Sequence, residues 1–338
     1  MEEVIGLVNE LLRVEDLRVE FTTRLGVARA VNGVSFSVSE GETVAILGES
    51  GSGKSVTAQA IMGILDTPPA QIAGGSVKLL GQELVGLPEK KYRELRGEQI
   101  AMIFQDALSA LNPVLHVGDQ IAEMFRVHRG AGKAAAKEEA LAVLRRVGIP
   151  GAADRYDSYP HQFSGGMRQR IMIAMMIALK PRVLIADEPT TALDVTVQAQ
   201  IMDLLQELQE ESGMGLILIT HDLGVVADVA DRISVMYAGR MMEAGPVDDI
   251  YGHTANPYTR SLLQSIPTID TAGGRLPAIS GVPPSLLSPP SGCAFHPRCP
   301  MAAERCRVGE PPPLIDVAAQ HSSRCWFTEE VMTDGGSE

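Results

Sequence analysis

Residues 48–55 read Gly48-Glu49-Ser50-Gly51-Ser52-Gly53-Lys54-Ser55, a full match to the pattern GxxxxGK[ST]. The glycines permit positive φ and leave room, so successive backbone N–H groups can turn toward a phosphate. Lys54 would reach β- and γ-phosphates, and the Ser55 hydroxyl would ligate Mg²⁺. Gly48, Ser50, Gly51, Ser52, Gly53, Lys54, Ser55 and Val56 are therefore the candidate ATP-binding residues. A second constellation is Val183-Leu-Ile-Ala-Asp187-Glu188, an apolar run ending in two carboxylates. Asp187 suits a magnesium ion held through water, and Glu188 suits the proton of an attacking water. Such a run is common and often only structural, but in a chain with a phosphate loop it reads as functional. A third is Phe163-Ser164-Gly165-Gly166-Met167 at the start of an apolar helix, a hydroxyl cap with exposed N–H groups and so a second anion site. One chain with two phosphate-binding elements points to two subunits meeting head to tail. Finally, Cys293, Cys299, Cys306 and Cys325 are all the cysteines of the chain, spaced C-x5-C-x6-C-x18-C. Four thiolates can bind zinc tetrahedrally or hold a [4Fe–4S] cluster. Tight zinc-type pairs are absent and Pro300 follows Cys299, which suits a cluster better; reduced free cysteines are the third reading.

These residues need elements to hold them. Leu11 to Val38 shows short alternating stretches broken at Asn32-Gly33, which predicts antiparallel strands. Glu42 to Leu47 is a nearly continuous apolar run, the pattern of a strand buried on both faces, followed by the Gly-rich turn and a helix from Lys54. From Pro88 to about Gln162 the period becomes helical, which predicts an inserted helical subdomain. Helix Gly166 to Leu179, strand Val183 to Ala186, helix Val195 to Ser212 and strand Gly215 to Thr220 then predict a mostly parallel sheet. Pro267, Pro277, Pro283, Pro284, Pro289 and Pro290 punctuate an aperiodic region from Tyr251 to Cys325, and TDGGSE reads as a disordered tail.

At 338 residues the chain has room for two or three domains, and 45% hydrophobic residues exclude wholesale disorder. A formal charge of −13, from 29 Lys+Arg against 42 Asp+Glu, argues against a nucleic-acid partner. No apolar run reaches the roughly 18–20 residues that span a bilayer, and MEEVIGLVNE lacks the basic start of a signal peptide. The expectation is a cytosolic chain whose membrane role comes through a partner.

Taken in order, the phosphate loop, Gln105 in MIFQD, FSGGM, IADE, Thr191-Ala-Leu-Asp194 and His221 in LITHD resemble the ATPase subunit of an ABC transporter. The signature turn departs from the usual pattern at Phe163 and Met167 but keeps Ser164, Gly165 and Gly166. The resemblance implies catalytic roles for Glu188, His221 and Gln105, magnesium held through Ser55, Gln105 and Asp187, and Asp194 near a partner's phosphate loop. It also implies an aromatic stacked on adenine near Leu25, for which Phe21 is the nearest candidate. Asn256-Pro257-Tyr258-Thr259-Arg260, GCAFHPRCPMAAERC and HSSRC resemble the extension of oligopeptide and dipeptide importer ATPases, and the flanks of the signature and acidic motifs resemble their D-type member.

The implied fold is α/β: a P-loop NTPase of ABC type with an antiparallel β subdomain, an inserted helical subdomain (about 88–165) and an irregular, metal-binding C-terminal extension. The domains expected are 1–250 for the ATPase and 251–338 for the extension. The resemblance further implies a second, F-type ATPase as heterodimer partner, two membrane permeases, and an extracytoplasmic peptide-binding protein acting indirectly. It places the chain at the cytoplasmic face of the membrane, with ATP, Mg²⁺ and a [4Fe–4S] cluster (or Zn²⁺) as cofactors. Dipeptides, longer peptides, glutathione and nickel complexes all remain open as substrates. Because the cysteines lie some 70 residues beyond His221, their site reads as a brace remote from ATP chemistry.

Overall fold

The longest apolar runs become strands and the 3.6-residue repeats become helices in the computed structural model, which describes residues 10–191, 193–266 and 279–334. The first nine residues, Ala192, Pro267, Pro277 and the last four residues of the TDGGSE tail lie outside the described residues. Contacts divide the described residues into two units: one of 10–11, 39–42, 86–191 and 193–219, the other of 12–38, 43–85, 220–266 and 279–334.

In the first unit, strands Ile100–Ile103, Val183–Asp187 and Gly215–Ile219 lie parallel, with Ile100 opposite Val183 and Val183 opposite Gly215. The last two are buried at every position, as their unbroken apolar sequences require. Helices Val117–Arg129, Lys133–Arg146, Gly165–Ile177 and Val195–Ser212 belong to this unit. Val117, Ile121, Ala122 and Phe125 form the buried stripe of the first of these. Gly118 interrupts that stripe because a Cβ there would come within 2.2 Å of the Tyr156 ring. Asp194 caps the helix Val195–Ser212 through the Val197 N–H at 2.9 Å, and Gly213 ends it at φ 66°.

In the second unit, strands Gly26–Ser39, Glu10–Thr23, Ala70–Leu79 and Gln82–Glu83 form an antiparallel sheet in that order. The sequence break expected at Asn32-Gly33 is instead a point inside one strand; the turn falls at Arg24 and Leu25. Gly33 takes φ 82° there because Asp16 would stand 2.9 Å from a Cβ, while the Asn32 N–H reaches the Gly239 carbonyl at 2.7 Å. Strand Thr43–Leu47, wholly buried, pairs in parallel with Arg232–Tyr237. Arg240–Pro246 follows antiparallel, and His321–Ser323 then Ile315–Ala318 extend that edge. The extension is thus less irregular than its prolines suggest: it adds two strands and the helices Pro257–Gln264, Glu304–Arg307 and Thr328–Asp334. The last of these takes in Thr333 and Asp334, the start of the expected tail.

Candidate ATP-binding and catalytic site

Strand Thr43–Leu47 delivers the chain to Gly48 at φ 147°, and the loop turns again at Gly51 (φ 78°) and Gly53 (φ 106°). At Gly48 a Cβ would meet the Met236 carbonyl at 2.2 Å, and at Gly53 the Ala30 carbonyl at 2.4 Å. Both glycines are therefore demanded twice, by φ and by crowding. The helix Lys54–Met62 begins with no side-chain cap at Gly53, and the N-terminal end of a helix favours an anion. Lys54 is buried, and its ammonium donates to the carbonyls of Gly48 at 2.7 Å and Glu49 at 3.1 Å. The Ser52 hydroxyl is buried without a partner inside the loop. An uncapped helix start, a buried ammonium and an orphaned hydroxyl form a cradle that a phosphate chain fits.

Glu49 belongs to this loop but not to the sequence-derived set. Its N–H donates to the Tyr258 hydroxyl at 3.0 Å. Its carboxylate takes two bonds from Arg298, Nη1 to Oε2 at 2.5 Å and Nη2 to Oε1 at 2.9 Å. In the same unit, the Thr220 N–H approaches the Ile46 carbonyl at 3.4 Å, which sets the start of the His221 segment beside the strand feeding the loop. His221 is exposed, and Asp222 caps the helix after it through the N–H groups of Gly224 and Val225. Phe21 lies half-buried opposite Ala70, and Leu25 is exposed at the hairpin turn.

The first unit assembles the other candidates. Asp187 is buried at the end of its strand, and Glu188 follows at φ 47°, an unusual backbone for a residue with a side chain. Its N–H is held by the Ile219 carbonyl at 2.8 Å. Its Oε2 accepts from Gln105 Nε2 at 3.0 Å and from the Thr191 hydroxyl at 2.8 Å. The base candidate is thus oriented by two donors, one of them the predicted Gln105. Ser164 caps the helix Gly165–Ile177, accepting from the Met167 N–H at 3.4 Å. Gly166 packs on Val197, next to the Asp194 cap, where a Cβ would stand 2.7 Å from a methyl group. Phe163, at the place of the usual Leu, is a buried ring with the Arg155 guanidinium 5.7 Å from its centre.

All four cysteines are free thiols and line one cavity together with Met242, Phe295 and Trp326. Burial pushes the Cys293 thiol up, Cys299 to about 11 and Cys325 to about 12, with the neighbouring sulfurs adding to the effect. Among the described residues, no group of three or more His, Cys, Asp or Glu is arranged to hold a metal ion. The expected convergence of the cysteines is therefore present, but a ligating geometry is not.

The ABC transporter family matches residues 31–191, and the oligopeptide/dipeptide transporter C-terminal region matches 242–306. The dipeptide transport ATP-binding protein DppD of Bacillus subtilis is 50% identical over 321 residues, 95% of this chain and 96% of its own. The oligopeptide transport ATP-binding protein OppD of Salmonella typhimurium is 52% identical over 303 residues, 90% of each chain. The chain belongs to the ABC transporter family of ATP-binding subunits. Among solved structures, an ATP-binding cassette dimer in a post-hydrolysis state with ADP and Pi superposes with TM-score 0.63 at 27% identity, covering 70% of this chain and 99% of that one.

In this ABC ATPase, Lys54 and Ser55 open the helix after the phosphate loop, Gln105 meets Glu188, and Ser164 caps its helix. What the motifs did not reveal is that residues of the C-terminal part, Tyr258 and Arg298, hold the phosphate loop. Arg298, one residue before Cys299, thus ties the cysteine region to the phosphate loop through Glu49. The signal was an acidic residue inside an anion-binding loop, which calls for a cation elsewhere in the chain.

Proposed function

We propose that this ATPase is the energy-coupling subunit of an importer for oligopeptides or dipeptides, driving transport through two membrane permeases. Identity of about half over nearly the whole length of transport ATP-binding proteins carries this reading. Lys54 and the loop N–H groups hold the phosphates, Glu188 takes the proton of the attacking water, and Gln105 and His221 orient it. Ser55, Asp187 and Gln105 would hold Mg²⁺, whose contribution is to neutralise charge on the phosphate oxygens. Ser164, Gly165, Gly166 and Asp194 serve the nucleotide of a second, F-type ATPase, in a head-to-tail heterodimer. Residues 1–250 act as the ATPase domain, with 88–165 as the part that meets the permeases, and 251–338 as the extension. No helix among the described residues is long and apolar enough to cross a membrane, in keeping with a peripheral subunit at the cytoplasmic face.

The four cysteines would hold a [4Fe–4S] cluster, or Zn²⁺ in its place; four free thiols on one cavity support this, and the metal would brace the extension. Protein purified without oxygen should then carry about four irons per chain; one zinc and no iron would favour the second metal, and a metal-free protein would end both readings. Reconstitution in vesicles with the paired ATPase and permeases tests the whole proposal. ATP-dependent peptide uptake is expected, and it should vanish in Glu188→Gln. A complex that hydrolyses ATP but moves no peptide would overturn the substrate assignment.

A further inference from the structure

A carboxylate inside an anion-binding loop is an electrostatic anomaly. Glu49 carries the same sign as the triphosphate that the loop must accept, and like charges repel. The fold resolves the conflict from 249 positions away. The Arg298 guanidinium takes both carboxylate oxygens in a fork, at 2.5 and 2.9 Å. Its side chain is 4% exposed, against 25% for Glu49.

Arg298 is itself held. Its Nε donates to the Ser280 carbonyl at 3.0 Å, Nη2 to the Ile279 carbonyl at 3.3 Å, and Nη1 to the Tyr237 hydroxyl at 3.3 Å. Its backbone sits in the turn between Cys293 and Cys299, where the His296 N–H reaches the Cys293 carbonyl and the Arg298 N–H reaches the Phe295 carbonyl at 2.9 Å. Phe295 in that turn packs edge-on against Tyr237 and tilted against Tyr258, with ring centres 5.4 and 5.1 Å apart. Tyr258 holds the N–H of the same Glu49. Meanwhile the Glu49 carbonyl accepts from Lys54, the cation facing the phosphates. Glu49 is thus gripped at its N–H and carboxylate by the extension, and at its carbonyl by Lys54.

We propose that Arg298 is a positioning residue of the nucleotide site: by neutralising and fixing Glu49, the C-terminal extension sets the ATP affinity of the phosphate loop. The inference rests on reading residues 48–55 as the ATP site and adds to it a control point in another part of the chain. Arg298 acts through Glu49 and not on the nucleotide.

The test is MgATP titration of the full-length chain and three variants, with thermal unfolding measured in parallel. Arg298→Gln strands a carboxylate beside the phosphates and should raise the Kd for MgATP about tenfold. Glu49→Gln removes that charge, and the double variant should recover most of the loss that Arg298→Gln causes. This rescue by deleting the second partner separates a charge effect from a structural brace, for which the second substitution would rescue nothing. Arg298→Gln with unchanged Kd, or a loss that Glu49→Gln fails to rescue, would overturn the proposal. If Arg298→Gln does not fold, Arg298→Lys keeps the charge without the fork. It should raise the Kd about threefold, an increase that Glu49→Gln abolishes, and an unchanged Kd there is equally fatal. An unmodified chain that binds no MgATP would instead remove the ATP-site reading itself.

Discussion

Glu188 shows how much of this chemistry depends on orientation at one residue. Its positive φ is sustained by the N–H bond to Ile219, and Gln105 and Thr191 both converge on one carboxylate oxygen. Replacing it with Gln keeps the shape while removing the proton acceptor. Glu188→Gln should lower the ATPase rate by about 10²–10⁴ with ATP affinity retained, since the phosphate loop is untouched. Unchanged turnover in single-cycle hydrolysis would strip Glu188 of its role. Lys54→Ala belongs to an earlier step: the buried ammonium resting on the Gly48 and Glu49 carbonyls is the loop's own point charge. Its loss should weaken MgATP binding by about tenfold or more, read by nucleotide titration. Lys54, Ser55 and Glu188 could be singled out in the sequence because the chemistry proposed for them requires neighbours a few positions away. The Glu49–Arg298 pair was not, because nothing local to either residue names its partner.

Elements were legible where periodicity alone decides them. The helix Val195–Ser212 falls where its repeat places it, between an Asp cap and a left-handed glycine. The signature helix begins one residue earlier than expected, at Gly165 under the Ser164 cap. Asn32-Gly33 misled because Gly also serves where a neighbouring strand crowds the backbone, here through the Asp16 side chain. The strands His321–Ser323 and Ile315–Ala318 were hidden for a different reason: they are short and gain their identity only by pairing with Arg240–Pro246 and with each other. Helix packing supplies a prediction at this scale. A Cβ at Gly166 would stand 2.7 Å from a Val197 methyl, and Val is stiff at χ1. Gly166→Ala should therefore cost about 1–3 kcal/mol of stability by overpacking, measured by chemical denaturation. Adding Val197→Ala should return most of it; strictly additive losses would show that the two helices do not meet as described.

For the whole molecule the decisive point is the proposed second phosphate-binding element, the Ser164–Gly166 turn, in a chain that has a phosphate loop sequence only once. The Gly48–Ser55 loop has its own buried ammonium and an orphaned Ser52 hydroxyl, whereas the Ser164–Gly166 turn offers a helix start capped by Ser164. An incomplete anion site of this kind gains its function when it faces a phosphate held by another copy or partner. It follows that the isolated chain should hydrolyse ATP slowly, with a specific rate that rises with protein concentration. Adding the paired ATPase should raise the rate further at fixed concentration. On the proposed head-to-tail arrangement, Ser164→Ala in this chain should depress hydrolysis in the mixture while leaving this chain's own MgATP affinity unchanged. A dilution series with constant specific activity down to nanomolar protein would show that each chain completes its own site, and the head-to-tail assembly would have to be given up.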